Sequence, residues 1–222
     1  MNMATFCNDT HAEVLAFLKS SGCFWLWESE HKHIVQLKSG RLSNYYVDCS
    51  PIFSNPELQD RAAKAILHLS KVDDVEPGNN WVIAATYGST GLAQSLARCA
   101  GMKAAYMEPD GKLGLRRFEL GPDAKVWLCD DVVTTCGTLF QARDAILSNM
   151  PDAEIQEPIL TYVDRRELDH LPEPKRKLKV LALIRTQSRS WINVQSLPMN
   201  MSKCIPIEPH GNWRELNERI GE

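Results

Sequence analysis

The run Val126-Trp127-Leu128-Cys129-Asp130-Asp131-Val132-Val133-Thr134-Thr135-Cys136-Gly137-Thr138-Leu139 carries the residue types best suited to chemistry. It reads as a buried strand ending in two acids, then a hydroxyl-rich turn with a glycine, then a helix. Such a turn presents unpaired backbone N–H groups at a helix N-terminus, and Thr134, Thr135 and Thr138 add hydroxyls. That combination suits a phosphate monoester. Asp130 and Asp131 would repel the same phosphate, so their natural partners are sugar hydroxyls or a divalent cation. An acid pair beside a phosphate cradle therefore points to a phosphorylated sugar. The plainer reading is an ordinary strand end with a threonine capping the helix.

The elements that must position this run are legible as patterns. Thr10 and Glu13 form a capping box before an apolar stripe of Val14, Leu15, Phe17 and Leu18, and Gly22 stops that helix. Residues 34–50 hold two short strand-like runs around Lys38-Ser39-Gly40-Arg41. Asn55-Pro56-Glu57 signals a second helix, with Leu58, Ala62, Ala65, Ile66 and Leu69 on one face. After a turn at residues 76–80 come an apolar run at 81–85, a small-residue turn at 87–91 and a helix at 92–100. Strands are expected at 103–108 and, after Pro109-Asp110-Gly111, at 113–120. The acidic strand, a helix at 137–147 and strands at 155–163 and 178–184 follow. Continuous apolar runs alternating with helices predict a parallel sheet covered on both faces. In such a sheet ligands bind beyond the carboxyl ends of the strands, where Asp130 and Asp131 stand. Residues 164–179 read as a solvated charged loop, with Arg165 at the strand end as the exception, and the last 35 or so residues as irregular, with a short helix from Asn212.

Composition narrows the classes. The 222 residues are 44% hydrophobic, enough for a sizeable core, and a formal charge of −3 argues against a general nucleic-acid binder. The apolar content also argues against disorder. No apolar run reaches the ~18 residues of a membrane span. The first residues lack the basic start of a secretory signal. The seven cysteines are odd in number and widely spaced, with no C-x-x-C, which favours reduced thiols and a cytoplasmic setting. The six tryptophans are assigned mainly to core packing.

Residues 130–138 resemble the phosphoribosyl pyrophosphate (PRPP) motif of the type I phosphoribosyltransferases: two acids, two apolar residues, then T-T-x-G-T. Three further segments resemble orotate phosphoribosyltransferase in the expected order. They are the K-S-G-R-x-S-x-Y-Y-x-D run from Lys38 to Asp48, the loop Ala85-Thr86-Tyr87-Gly88-Ser89, and Tyr162-Val163-Asp164-Arg165.

The resemblance implies an α/β fold, a mainly parallel twisted sheet with helices on both faces and a small hood from the N- and C-terminal segments. Residues 1–222 would form a single phosphoribosyltransferase domain, with a PRPP-binding core at about 56–165 and the hood and terminal segments at about 1–55 and 166–222. It implies that Thr134, Thr135, Cys136, Gly137 and Thr138 hold the 5-phosphate, with Val132 and Val133 leading into the turn. Asp130 and Asp131 would take the ribose hydroxyls, and Thr86, Tyr87, Gly88 and Ser89 the pyrophosphate. Mg²⁺ would be bound mainly through PRPP itself, with Asp130 a candidate ligand. Lys38, Tyr45, Tyr46, Thr134 and Arg165 would form an orotate site. Lys112, Arg116, Arg117 and Asp131 would be the catalytic candidates, and a homodimer is implied.

Two features depart from the family pattern. Many members carry a long Lys-rich loop with a histidine. Here the matching hairpin at 108–118 is short, and no histidine lies between His68 and His170, although a branch with a D-G-x-x-x-L-R-R-x-F hairpin is closer. Cys136 also stands where the family usually has glycine. A thiol at a helix N-terminus is expected to have a low pKa and to react early. The reaction implied is orotate plus PRPP giving orotidine 5-monophosphate and pyrophosphate. The alternatives are another base, or a non-catalytic PRPP-binding regulator, which would need a nucleic-acid-binding module or basic face that is not visible.

Overall fold

The computed structural model describes residues 16, 18–37, 39–72, 75, 76, 78–109, 113–186, 189–209 and 211–219. The helix expected from Thr10 starts outside them. The chain divides into two compact units. One takes in Ser50–Thr186, and the other is discontinuous, Phe17–Cys49 with Gln187–Glu222.

In chain order the discontinuous unit begins with β1 (Phe24–Leu26), β2 (His33–Gln36), β3 (Leu42–Ser43) and β4 (Tyr45–Val47). The contiguous unit follows with α1 (Ser50–Phe53), α2 (Pro56–Ser70), β5 (Asn80–Ala84), α3 (Thr90–Ala100), β6 (Lys103–Tyr106), β7 (Lys125–Val133), α4 (Gly137–Asn149), β8 (Glu154–Asp164) and β9 (Val180–Arg185). Returning to the discontinuous unit, the chain ends with β10 (Ser190–Trp191), β11 (Ile205–Ile207) and α5 (Trp213–Leu216).

The contiguous unit is built on a five-stranded sheet, β6-β5-β7-β8-β9, parallel at every step. All of β5 is buried, as a strand covered on both faces requires. α2 starts where its signal stands: Asn55 Oδ1 accepts from the N–H of Glu57 and of Leu58 at 3.1 and 3.2 Å, with Pro56 at the first position. Its buried stripe runs through Ala62, Ala63, Ala65, Ile66 and Leu67. Leu69, expected on that face, is 52% exposed in the last turn, because Ala63 and Leu67 carry the packing instead. Between β7 and β8 the register jumps: Trp127 pairs with Gln156 and Cys129 with Leu160. The extra β8 residues fall around Pro158, which has no N–H to give a ladder. Beyond the jump Asp130 pairs with Thr161 and Val133 with Asp164. The ends of β7 and β8 therefore lie side by side.

The strand expected at 113–120 is a correction. Among the described residues the hairpin is a single bridge, in which Glu108 and Gly114 exchange backbone hydrogen bonds of 2.9 and 3.2 Å. Leu113, Leu115, Phe118 and Leu120 pack on the core cluster around Ile83, Val126 and Leu139. The Asn79 side chain caps the carbonyls of Leu120 and Pro122 at 2.6 and 2.9 Å. The segment thus buries its apolar residues with no ladder of its own.

In the discontinuous unit the order is β10-β3-β2-β11, with β1 and β4 a separate antiparallel pair. β2 and β3 run antiparallel about a turn where Leu37 and Arg41 are hydrogen-bonded at 2.8 Å and Gly40 has φ +78°. β11 joins β2 in parallel. Trp25 donates its indole N–H to the Leu216 carbonyl at 3.1 Å, tying β1 to α5. Trp25, Trp81 and Trp127 are buried, and Trp27, Trp191 and Trp213 are partly buried against core clusters. The tryptophans are packing residues, as composition suggested.

Candidate active site

β5, β7 and β8 end on the same side of the parallel sheet, and each leads into a segment with polar side chains. After β5 comes the loop at 86–89. Thr86 is extended, φ −131°, and Tyr87–Ser89 form one turn of 3-10 helix. The Ser89 hydroxyl donates to the Thr86 carbonyl at 2.9 Å, and the Thr86 N–H donates to the Ser89 hydroxyl at 3.3 Å. The loop therefore holds its own shape. Its Thr86 hydroxyl donates to Asp130 Oδ1 at 2.8 Å.

Strand alternation separates the two acids. Asp130 is buried, and burial is the chief reason its pKa is pushed up to about 7; the Thr86 hydrogen bond opposes the rise and the Asp131 charge adds to it. Asp131 is half-buried. Its carboxylate lies over Gly88, where an added Cβ would stand 3.5 Å from Oδ2. One acid is thus fixed to the loop and the other faces it.

After β7 the turn at 134–138 leads into α4. Val133 is buried, Val132, Thr134 and Thr138 are half-buried, and Thr135 is exposed. The Phe140 N–H reaches the Cys136 carbonyl at 3.1 Å, so the earlier N–H groups of the helix have no intrahelical acceptor. Cys136 has φ +58°. That left-handed conformation accompanies a side chain turned inward: Cys136 is 4% exposed and belongs to the core cluster. Burial pushes its thiol pKa up, against the opposing effect of Arg166. The reactive, low-pKa thiol expected from helix position is overturned, because the side chain is buried in the core cluster and burial disfavours the thiolate.

After β8, Arg165 is half-buried and its N–H donates to the Val133 carbonyl at 3.0 Å. Arg166 is buried. It forms a bidentate pair with Asp164, Nε to Oδ1 and Nη2 to Oδ2, both at 2.9 Å. Sequence reasoning placed Arg166 in a solvated loop. The only local signal was an acid two residues earlier at the end of an apolar strand.

The remaining candidates lie elsewhere. Lys112 is outside the described residues. Arg116 and Arg117 are both exposed, and Arg117 Nε pairs with the buried carboxylate of Glu108 at 3.2 Å. Tyr87 is 58% exposed, with its ring 5.6 Å from that of Tyr106, which in turn meets Phe118 edge-on at 5.0 Å. Lys38 is also outside the described residues. Tyr45 and Tyr46 belong to the discontinuous unit. Tyr45 is buried, and Tyr46 is half-buried with its ring 6.3 Å from Trp213. Burial, then the Asp48 charge, raises the Tyr46 pKa. Among the described residues no group of three or more His, Cys, Asp or Glu side chains could cage a metal. Nor, among them, is any helix long and apolar enough to cross a membrane.

No family model matches the chain. The orotate phosphoribosyltransferase of Carboxydothermus hydrogenoformans is 34% identical over 115 residues, 51% of this chain and 59% of that protein. The chain thus spans somewhat over half the length of the curated relatives it matches. The crystal structure of orotate phosphoribosyltransferase from Aeropyrum pernix aligns over 79% of this chain and 94% of its own, with a TM-score of 0.57 and 21% identity. Leishmania donovani UMP synthase aligns over 80% of this chain and 36% of its own, with a TM-score of 0.60 and 20% identity. The chain has the type I phosphoribosyltransferase fold, and its sequence is similar to proteins named orotate phosphoribosyltransferase.

Proposed function

We propose that the chain transfers the phosphoribosyl group of PRPP to orotate, giving orotidine 5-monophosphate and pyrophosphate. The observation that carries this reading is the join at the end of β7, where Thr86 of the loop at 86–89 donates to Asp130 of the acid pair and the hydroxyl-rich turn follows directly in the chain. In this reading the turn at 134–138 takes the 5-phosphate through free N–H groups and threonine hydroxyls. Asp131 and Asp130 accept from the ribose hydroxyls. The loop at 86–89 meets the pyrophosphate, where Gly88 lets backbone approach oxygen closely. Lys112, Arg116 and Arg117 are the cations available to offset charge on the departing pyrophosphate.

The two carboxylates at the cleft fit a Mg²⁺ ion held chiefly by diphosphate oxygens, with Asp131, the more open of the two, the better placed to help. The ion would neutralise charge on the leaving group. Within the contiguous unit Arg165 is the proposed orotate residue, since a guanidinium fork suits a carboxylate. The assembly proposed is a homodimer, and the setting cytoplasmic.

The test is pyrophosphate release from PRPP and Mg²⁺ with a panel of bases. Orotate should give turnover and adenine, hypoxanthine and uracil should not. Turnover with another base would keep the transferase class and reject the substrate. No PRPP-dependent turnover or binding at all would reject the proposal.

A further inference from the structure

A buried cation lies against the Cys136 side chain of the turn assigned above to the 5-phosphate. Cys136 has φ +58°, a conformation that disfavours any residue with a Cβ. Arg166 lies against its thiol, and the guanidinium is fixed on its other sides. Nε and Nη2 are taken by the two oxygens of Asp164, and Nη1 donates to the carbonyls of Leu178 at 2.8 Å and Lys175 at 3.4 Å. Of five N–H donors, four are committed, which leaves one Nη2 hydrogen for the Cys136 side. The side chains of Arg166 and Asp164 are 3% and 2% exposed. The strand ladder adds to this register: Val133 pairs with Asp164, and the Arg165 N–H donates to the Val133 carbonyl.

A buried ion pair is a costly way to fill space, and its use points to placement rather than stability. We propose that Arg166 is a positioning residue for phosphoribosyl binding, which holds Cys136 in its left-handed conformation so that the N–H groups of the turn converge before PRPP arrives. The inference rests on the function proposed above. A glycine at 136 adopts the same backbone without a clamp, so the need for Arg166 should vanish with the Cβ.

The experiment is a double-mutant cycle read by direct binding. Wild type, Arg166→Lys, Cys136→Gly and the double variant are titrated with Mg²⁺ and PRPP, ribose 5-phosphate or pyrophosphate. Arg166→Lys keeps the charge beside Asp164 but loses the fork. It should weaken PRPP and ribose 5-phosphate binding about tenfold, the scale of releasing one strained residue, and leave pyrophosphate within twofold. In the Cys136→Gly background the same change should weaken PRPP less than threefold. Asp164→Asn serves as the second variant if Arg166→Lys does not fold, with the same split between ribose 5-phosphate and pyrophosphate. Equal losses in both backgrounds, or equal loss of pyrophosphate binding, would overturn the positioning role and leave the transferase proposal standing. A wild-type protein that binds neither PRPP nor ribose 5-phosphate would overturn both.

Discussion

Thr86 and Asp130, 44 residues apart in the chain, meet through a 2.8 Å hydrogen bond in which the threonine hydroxyl donates to Oδ1. The bond couples the loop after β5 to the acidic end of β7. It also favours the ionised carboxylate in a place where burial disfavours it.

Thr86→Val removes that donor while keeping the shape. The Asp130 pKa should then rise above its present value of about 7. PRPP binding at pH 7 should weaken by about tenfold, the scale of a hydrogen bond to a charged group. Part of the loss should return at pH 8.5, where the carboxyl ionises again. Titration calorimetry at the two pH values checks this, and an identical loss at both would count against a titration effect.

Asp130 also makes stability depend on pH. Its folded pKa is raised from 3.8 to about 7, so its favourable contribution is complete below 3.8 and is lost as pH rises through 7. Asp130→Asn cannot ionise. The variant should gain on wild type by about 3 kcal/mol between pH 5 and pH 8.5, since about two pH units lie between pH 5 and the raised pKa at ~1.4 kcal/mol each. PRPP binding should fall tenfold or more at pH 8.5, where the wild-type carboxylate is ionised, and by less at pH 5, where it is protonated. Urea unfolding of both proteins at the two pH values is the measurement.

Gly88→Ala tests the approach of the loop to its ligand. The added methyl would sit 3.5 Å from Asp131 Oδ2, an ordinary contact, so the melting temperature should hardly move. Pyrophosphate binding should fall by about tenfold, because in the proposed site a methyl at residue 88 would hinder close approach of an oxygen to the loop backbone. Competition of pyrophosphate against PRPP gives the answer.

Thiol mapping tests the orientation of the turn. Burial raises the pKa of both Cys136 and Cys99, so access separates them: Cys136 is 4% exposed, whereas Cys99 is half-buried. Iodoacetamide should label Cys99 in the native protein and leave Cys136 unmodified until the chain is denatured. Early labelling of Cys136 would mean the turn opens in solution.

Most of the site-forming framework was legible because it is written in local signals. Asn55-Pro56 starts α2, the apolar run at 126–129 leads into β7, and the threonine-rich turn precedes α4. Other features depend on partners distant in the chain or on backbone sign. Whether Cys136 points into the core follows from φ, which residue type does not reveal. Arg166 looked solvated because two of its acceptors are backbone carbonyls 9 and 12 residues later. The segment at 113–120 has strand-like composition, yet its apolar residues pack on the core and the Asn79 side chain donates to the Leu120 carbonyl at its end and to that of Pro122 just beyond. Leu69 matches the helical period, but the exposure of its turn is set by what α2 packs against.

The discontinuous unit has a consequence for the order in which the chain acquires structure. The hydrogen bond from Trp25 to Leu216 closes a span of 191 residues, and β11 pairs in parallel with β2. During synthesis the strands β1 to β4 emerge first and must wait for the last segment before that sheet is complete. Meanwhile the residues Ser50–Thr186 have all their sheet partners in one continuous stretch. The early strands are therefore the part of the nascent chain most exposed to wrong pairing, and a chaperone that shields hydrophobic strands would act first there.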